Sequence, residues 1–220
     1  MEKSFSSVKI RKSSIIKEVD IFSAASVIIS EAVMTRWQNS IDLVAKVLQI
    51  PAVLIMRLHE KEIEVFLSSR SPGNPYRQSA RDHLLQGFYC ETVIGSGTGL
   101  AVEDALEDPD WKENPDVELE MISYLGFPLK WPGGEIFGTI CLLDRKPTKF
   151  SPETEEMLIA LQHSFETDLK LLLAQYDLSK SEQKFRLLNE EKDRFFSILA
   201  HDLRAPFTTL IGLSEILMES

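Results

Sequence analysis

The sequence predicts an α+β protein that ends in a long coiled-coil helix, and three stretches predict it. Residues 122–144, ISYLGFPLKWPGGEIFGTICLLD, are two β-rich arms joined around Pro132-Gly133-Gly134, residues that supply the backbone angles of a tight turn. Residues 51–70, PAVLIMRLHEKEIEVFLSSR, repeat the pattern of strand, polar turn and strand. From Glu153 to Ala205 there is neither glycine nor proline, and apolar residues return at helical and then heptad spacing.

The elements follow in chain order. Residues 1–20 mix five basic residues with scattered serines and predict a flexible tail. From Ser23 to Leu48, apolar positions such as Val33, Trp37, Ile41, Val44 and Leu48 recur every three or four residues, so this segment is a helix that buries one face. The two arms of 51–70 come next. Residues 71–115 contain SPGNP, GSGTG and EDPDWKENP in quick succession, an irregular region of the kind that often carries binding function. Within the 122–144 hairpin, Gly126 and Gly138 mark a bulge or a close backbone approach. Ser151 is placed to cap the last helix, Pro152 takes its first position, and Glu153, Glu155 and Glu156 favour the positive end of its dipole.

Composition excludes several functions. Apolar residues make up 44% and charged residues 26% of the 220, enough to build a core. A net charge of -10 and a pI near 5.0, with no basic cluster, argue against nucleic acid as a partner. The longest apolar runs, such as AVLIM at 52–56, fall far short of the roughly 20 residues of a membrane helix. No signal peptide follows the basic start, so no membrane association and a cytoplasmic location are expected. Cys90 and Cys141 are too few for a disulfide framework and too isolated for a zinc site; both read as small core residues.

In the C-terminal third Leu158, Phe165 and Leu172 step by seven. Leu171, Leu178, Phe185, Lys192 and Leu199 do the same, with Leu188 and Phe195 on a second seam position. The frame slips by one near residue 171, and Lys192 and Ser181 dilute it. A helix of ~50 residues extends about 75 Å, well beyond a domain of this size. A partner chain is therefore expected along 158–217, the alternative being one amphipathic helix packed on its own domain.

His201 interrupts this seam. The apolar steps change from seven to four between Leu199 and Leu203, then resume at seven through Leu210 and Leu217. His201 lies two residues past Leu199, about 200° around the helix, and so faces outward. Neutral imidazole is a good nucleophile near pH 7, a carboxylate such as Asp202 can take up its proton, and the fork of Arg204 suits phosphate oxygens. Pro206 cannot donate to the carbonyl of Asp202, which predicts a bend just after the histidine.

FFSILAHDLRAPFTTLIGLSEIL resembles the H-box of the sensor histidine kinases: Phe195, Phe196, His201, Asp202, Leu203, Arg204 and Pro206 match in order. The resemblance implies that His201 accepts the γ-phosphoryl group of ATP and passes it to an aspartate of a response regulator, Asp202 assisting. It also implies a parallel homodimer in which this dimerisation and phosphoacceptor (HisKA) helix hairpins into a second. Family members with phosphatase activity carry Thr or Asn where this chain has Ala205, so that activity is not expected. The sequence stops at Ser220, inside the first helix, without the boxes that bind ATP and Mg; alone it is expected to be inactive.

Residues 21–172 resemble a GAF domain, on FYCETVI (88–94), LAVEDALEDPDWKENP (100–115), YLGFPLKWPGGEIFGTICLLD (124–144) and the Ser-Pro helix start. The implied fold is a central antiparallel sheet with helices on one face and the 71–115 region closing a pocket on the other. A coiled-coil signalling helix (173–194) and the start of the phosphoacceptor helix (195–220) would follow. The ligand is not legible. Bilin-binding relatives attach pigment at a cysteine commonly followed by histidine, whereas Cys90 precedes Glu91 and Cys141 precedes Leu142. The Asn-Lys pair of cyclic-nucleotide binders is missing, and His59 and His83 read as loop or surface residues rather than haem ligands. Asp104, Glu107, Asp108, Asp110 and Asp116 would hold a cation only if folded together, and a solvated acidic loop is the simpler reading, so no metal is expected. The competing reading of the whole is a non-enzymatic GAF ligand-binding and dimerisation module that regulates another partner.

Overall fold

The computed structural model describes residues 5–12, 15–22 and 29–218, with side chains described for 29–201, 204, 207, 208 and 211. The chain divides into two compact units, Met1–Leu172 and Leu173–Ser220. The fold is α+β, with helices flanking an antiparallel sheet and a long helix at the C-terminus. No described helix is long and apolar enough to cross a membrane.

The expected flexible tail contains a hairpin instead: β1 (Phe5–Lys12) pairs antiparallel with β2 (Ile15–Phe22). β-branched residues alternate with charged ones along both segments, which is the period of a strand, and the register sets Lys9 opposite Glu18. Helix α1 is Glu31–Leu48, shorter than the expected Ser23–Leu48; residues 23–28 lie outside the described residues. The Ser30 side chain accepts from the Val33 amide at 3.4 Å, and Gln49 in a left-handed conformation ends the helix.

The central sheet joins β3 (Ala52–Leu58), β4 (Glu62–Ser68), β5 (Arg81–His83), β6 (Leu100–Val102), β7 (Ser123–Lys130) and β8 (Ile136–Asp144) in the order β5-β4-β3-β8-β7-β6. Both predicted hairpins are present, and the turn between β7 and β8 contains Pro132-Gly133-Gly134. Gly138 is the close approach its sequence suggests: a Cβ there would run into the Met56 carbonyl of β3.

One face of the sheet packs under α1 and the start of α3 (Pro152–Met218). Trp37, fully buried, stacks on Phe165 at 4.7 Å between ring centroids and meets Phe66 and Phe137 edge-on at 6.4 and 6.1 Å. Its Nε1 donates to Asp168 at 2.7 Å, and Arg36 pairs with the same carboxylate at 2.6 Å. Leu158, Phe165 and Leu169 are thus buried within the first unit. This corrects the expectation of one intermolecular stripe along 158–217, because its first turns are consumed by the chain's own sheet. Exposure begins at the frame slip: Leu171, Leu178, Phe185, Leu188 and Phe195 are 54% to 73% exposed.

Candidate functional site

Two places carry chemistry, one in each unit. In the first, the sheet face opposite α1 is roofed by the irregular region between β4 and β7. That roof holds a helix the sequence does not signal, α2 (Tyr89–Ser96), because seven of its eight residues are buried and leave no polar period to read. Glu91 anchors it: its carboxylate, wholly buried, accepts from the Gln86 and Gly87 amides at 3.1 and 3.2 Å. Those bonds hold a loop in which Leu85 and Gly87 both have positive φ.

A short 3₁₀ turn, Pro115–Leu119, closes the far side. Asn114 caps it, accepting from the Asp116 amide at 2.8 Å, while its Nδ2 donates to the Gly87 carbonyl at 2.8 Å. The cap turns the Asp116 carboxylate inward, where the Tyr76 hydroxyl donates to it at 2.7 Å. Burial pushes Asp116 up to about 6, against the opposing effect of the Tyr76 hydrogen bond; Asp82 and Glu91 push in the same direction as burial.

Below lies a cavity of about 30 Å³ whose walls include Met56, Phe88, Cys90, Asp116, Tyr124 and Cys141. Tyr124 stacks on Tyr89 at 4.8 Å, and Gly126 makes room for its hydroxyl, which a Cβ there would strike. The Tyr124 and Thr139 hydroxyls are buried without a well-formed hydrogen bond among the described residues, with the Cys141 thiol as their shared neighbour. Burial pushes both cysteine thiols up, so neither is an activated nucleophile.

The acidic residues expected as a loop separate. Asp104 and Asp108 accept from the Leu106 and Asp110 amides of their own loop at 2.9 and 3.0 Å, whereas Asp116 belongs to the cavity. No group of three potential metal ligands forms among the described residues. His59 bonds Glu64 at 2.6 Å, His83 is exposed in β5, and neither lines the cavity. Sequence reasoning missed Tyr76, Glu91 and Tyr124; the Asn114-Pro115-Asp116 cap was the available signal.

Because Asp116 titrates near 6 when folded but near 3.8 when free, its contribution favours folding below pH 4 and is lost as pH rises through 6. Asp116→Asn should therefore be more stable than wild type above pH 7, by on the order of 2 to 3 kcal/mol, with the gap closing toward pH 4. Urea melts across that range check it; a gap independent of pH would contradict the assignment.

In the second unit, α3 is helical from the Phe195-Phe196 pair through His201, Asp202, Arg204 and Pro206. Proline does not end the helix. His201 and Arg204 are exposed, while the side chains of Asp202 and Pro206 lie outside the described residues. Every described side chain from 177 onward is exposed, so seam and outward face are told apart by spacing and not by burial.

Comparison with known proteins identifies the first unit. The GAF domain profile matches residues 35–167. Among solved structures, a domain assigned to a two-component sensor histidine kinase protein of Sinorhizobium meliloti 1021 is 16% identical, covering 68% of this chain and 99% of that one, with a TM-score of 0.51. Free methionine-R-sulfoxide reductase from Neisseria meningitidis, in complex with its substrate, is 15% identical over 61% of this chain and 76% of its own, with a TM-score of 0.51. A far-red cyanobacteriochrome photoreceptor is 12% identical over 68% and 91%, with a TM-score of 0.50. These likenesses are of fold. A comparison with curated proteins finds no similar sequence.

Proposed function

This chain belongs to the GAF-domain family, and from that premise we propose that it is the sensory and dimerising portion of a two-component sensor histidine kinase, with His201 as phosphoacceptor. One observation carries the reading: FFSILAHDLRAP places phenylalanines, histidine, acid, leucine, arginine and proline in H-box order on the helix that begins as the last helix of the GAF fold. The fold of the Sinorhizobium meliloti domain supports the pairing of GAF module and kinase.

The chemistry is phosphoryl transfer. An imidazole nitrogen of His201 attacks the γ-phosphorus of ATP held with Mg by a kinase catalytic domain, the bond to ADP breaks, and Asp202 takes up the imidazole proton. Arg204 steadies the phosphate oxygens. The phosphoryl group then passes to an aspartate of a response regulator. Ala205 offers no polar group to orient a water, so hydrolysis of the regulator's aspartyl phosphate has no support here.

A parallel homodimer brings the chains together along the seam that opens at Leu171, where the exposed heptad positions need cover. A small molecule in the GAF cavity biases the pair, and the frame slip and Pro206 are where a second packing is available to transmit it. The protein acts in the cytoplasm, where ATP is available.

The test is to supply a histidine kinase catalytic domain and radiolabelled ATP to this chain extended through the second helix of its hairpin. Label enters wild type and falls at least 100-fold in His201→Gln. Equal labelling of the two, or none in either, removes the phosphoacceptor role.

A further inference from the structure

The Asp116 carboxylate faces its cavity without a countercharge. The residue is 6% exposed, and none of the described residues lining that cavity is Lys, Arg or His. Asp82 lines it as well, and Glu91 adds negative potential from behind while its own oxygens are taken by the loop amides. A buried carboxylate left this way is costly, and hydrogen bonding by the Tyr76 hydroxyl offsets only part of that cost.

A second observation points into the same space. Tyr124 is 1% exposed and lines the cavity, and its hydroxyl makes no well-formed hydrogen bond among the described residues, its polar neighbour being the Cys141 thiol, a weak donor. A strong donor to it is missing among the described residues. Tyr76, Phe88 and Tyr124 also line it, so its wall is largely aromatic and apolar around the two carboxylates. The space of about 30 Å³ holds roughly two water-sized atoms.

We propose that this cavity binds ammonium or a short primary alkylammonium ion, its nitrogen held by the Asp116 carboxylate and the Tyr124 hydroxyl. An ammonium group supplies the missing positive charge and several N–H donors at once, which neither an anion nor a neutral alcohol does. A quaternary ammonium has no N–H to donate and exceeds the space. The inference deepens the sensory reading above, on which its signalling consequence rests, by naming the ligand class; binding itself is measured independently of phosphoryl transfer.

Thermal melting of this chain at pH 8 tests it, with ammonium or methylammonium chloride against sodium and tetramethylammonium chloride at matched ionic strength. The small amines should raise the melting temperature saturably, by about 3 to 6 °C beyond either control. Asp116→Asn, which melts at or above wild type without ligand, should lose the rise, and Tyr124→Phe should weaken the apparent affinity about tenfold. A rise matched by sodium, or one that survives in Asp116→Asn, overturns the proposal. If the amines bind while His201 takes no label, the kinase reading fails and amine binding stands; if His201 takes label while no amine binds, the kinase reading stands and amine binding fails.

Discussion

Trp37→Ala should cost the GAF unit about 3 to 5 kcal/mol, a large share of the 5 to 15 kcal/mol that holds a typical domain folded. The indole is fully buried and touches three aromatic rings from β4, β8 and α3, so truncation opens a cavity where two helices meet the sheet. It also removes one donor from Asp168, leaving Arg36 as that carboxylate's partner. Trp37→Phe separates these effects: it keeps most of the volume and loses the 2.7 Å hydrogen bond, for an expected cost of about 1 to 2 kcal/mol. Urea denaturation followed by circular dichroism measures both. Equal costs for the two variants would mean that the hydrogen bond, not the packing, holds the junction.

Leu178→Asp combined with Phe185→Asp should turn a dimer into a monomer. The two side chains are 60% and 73% exposed in the single chain and lie one heptad apart. Each would contribute about 1.5 to 3 kcal/mol of burial per chain in a seam, and each occurs twice in a dimer. Their loss therefore weakens association by at least 10³-fold, before the cost of desolvating four carboxylates is added. Sedimentation velocity reads the outcome. Phe165→Ala is the informative control, because Phe165 is buried against Trp37 and its loss should unfold the GAF unit rather than dissociate a dimer. Wild type sedimenting as a monomer at every accessible concentration would remove the seam.

How far the sequence could be read depended on the range of the interactions. The hairpin around Pro132-Gly133-Gly134, the Ser151-Pro152 helix start and the close approach at Gly138 are local events, and each stands where its residues predict. The β1–β2 hairpin was hidden by its serines and charges, although its alternation is that of a strand. Helix α2 was hidden for the opposite reason: Thr92, Val93 and Ile94 are poor helix formers, and burial on all sides overrides that preference. The residues that resemble an H-box were legible because their order along one helix is itself the signal.

By itself the sequence determined the α+β class, the pairing within the two predicted hairpins of the central sheet, the start of the last helix and the place of His201 on it. All of these follow from backbone angles and side-chain periods that neighbouring residues settle. Only the tertiary structure decided that the stripe at Leu158 and Phe165 is spent on the chain's own sheet while the one from Leu171 stays open. Only it took Asp116 out of an acidic loop and set it beside Tyr76, 40 residues away, in a cavity whose described lining has no basic side chain. Burial is a property of what arrives from elsewhere in the chain, and no local pattern reports it.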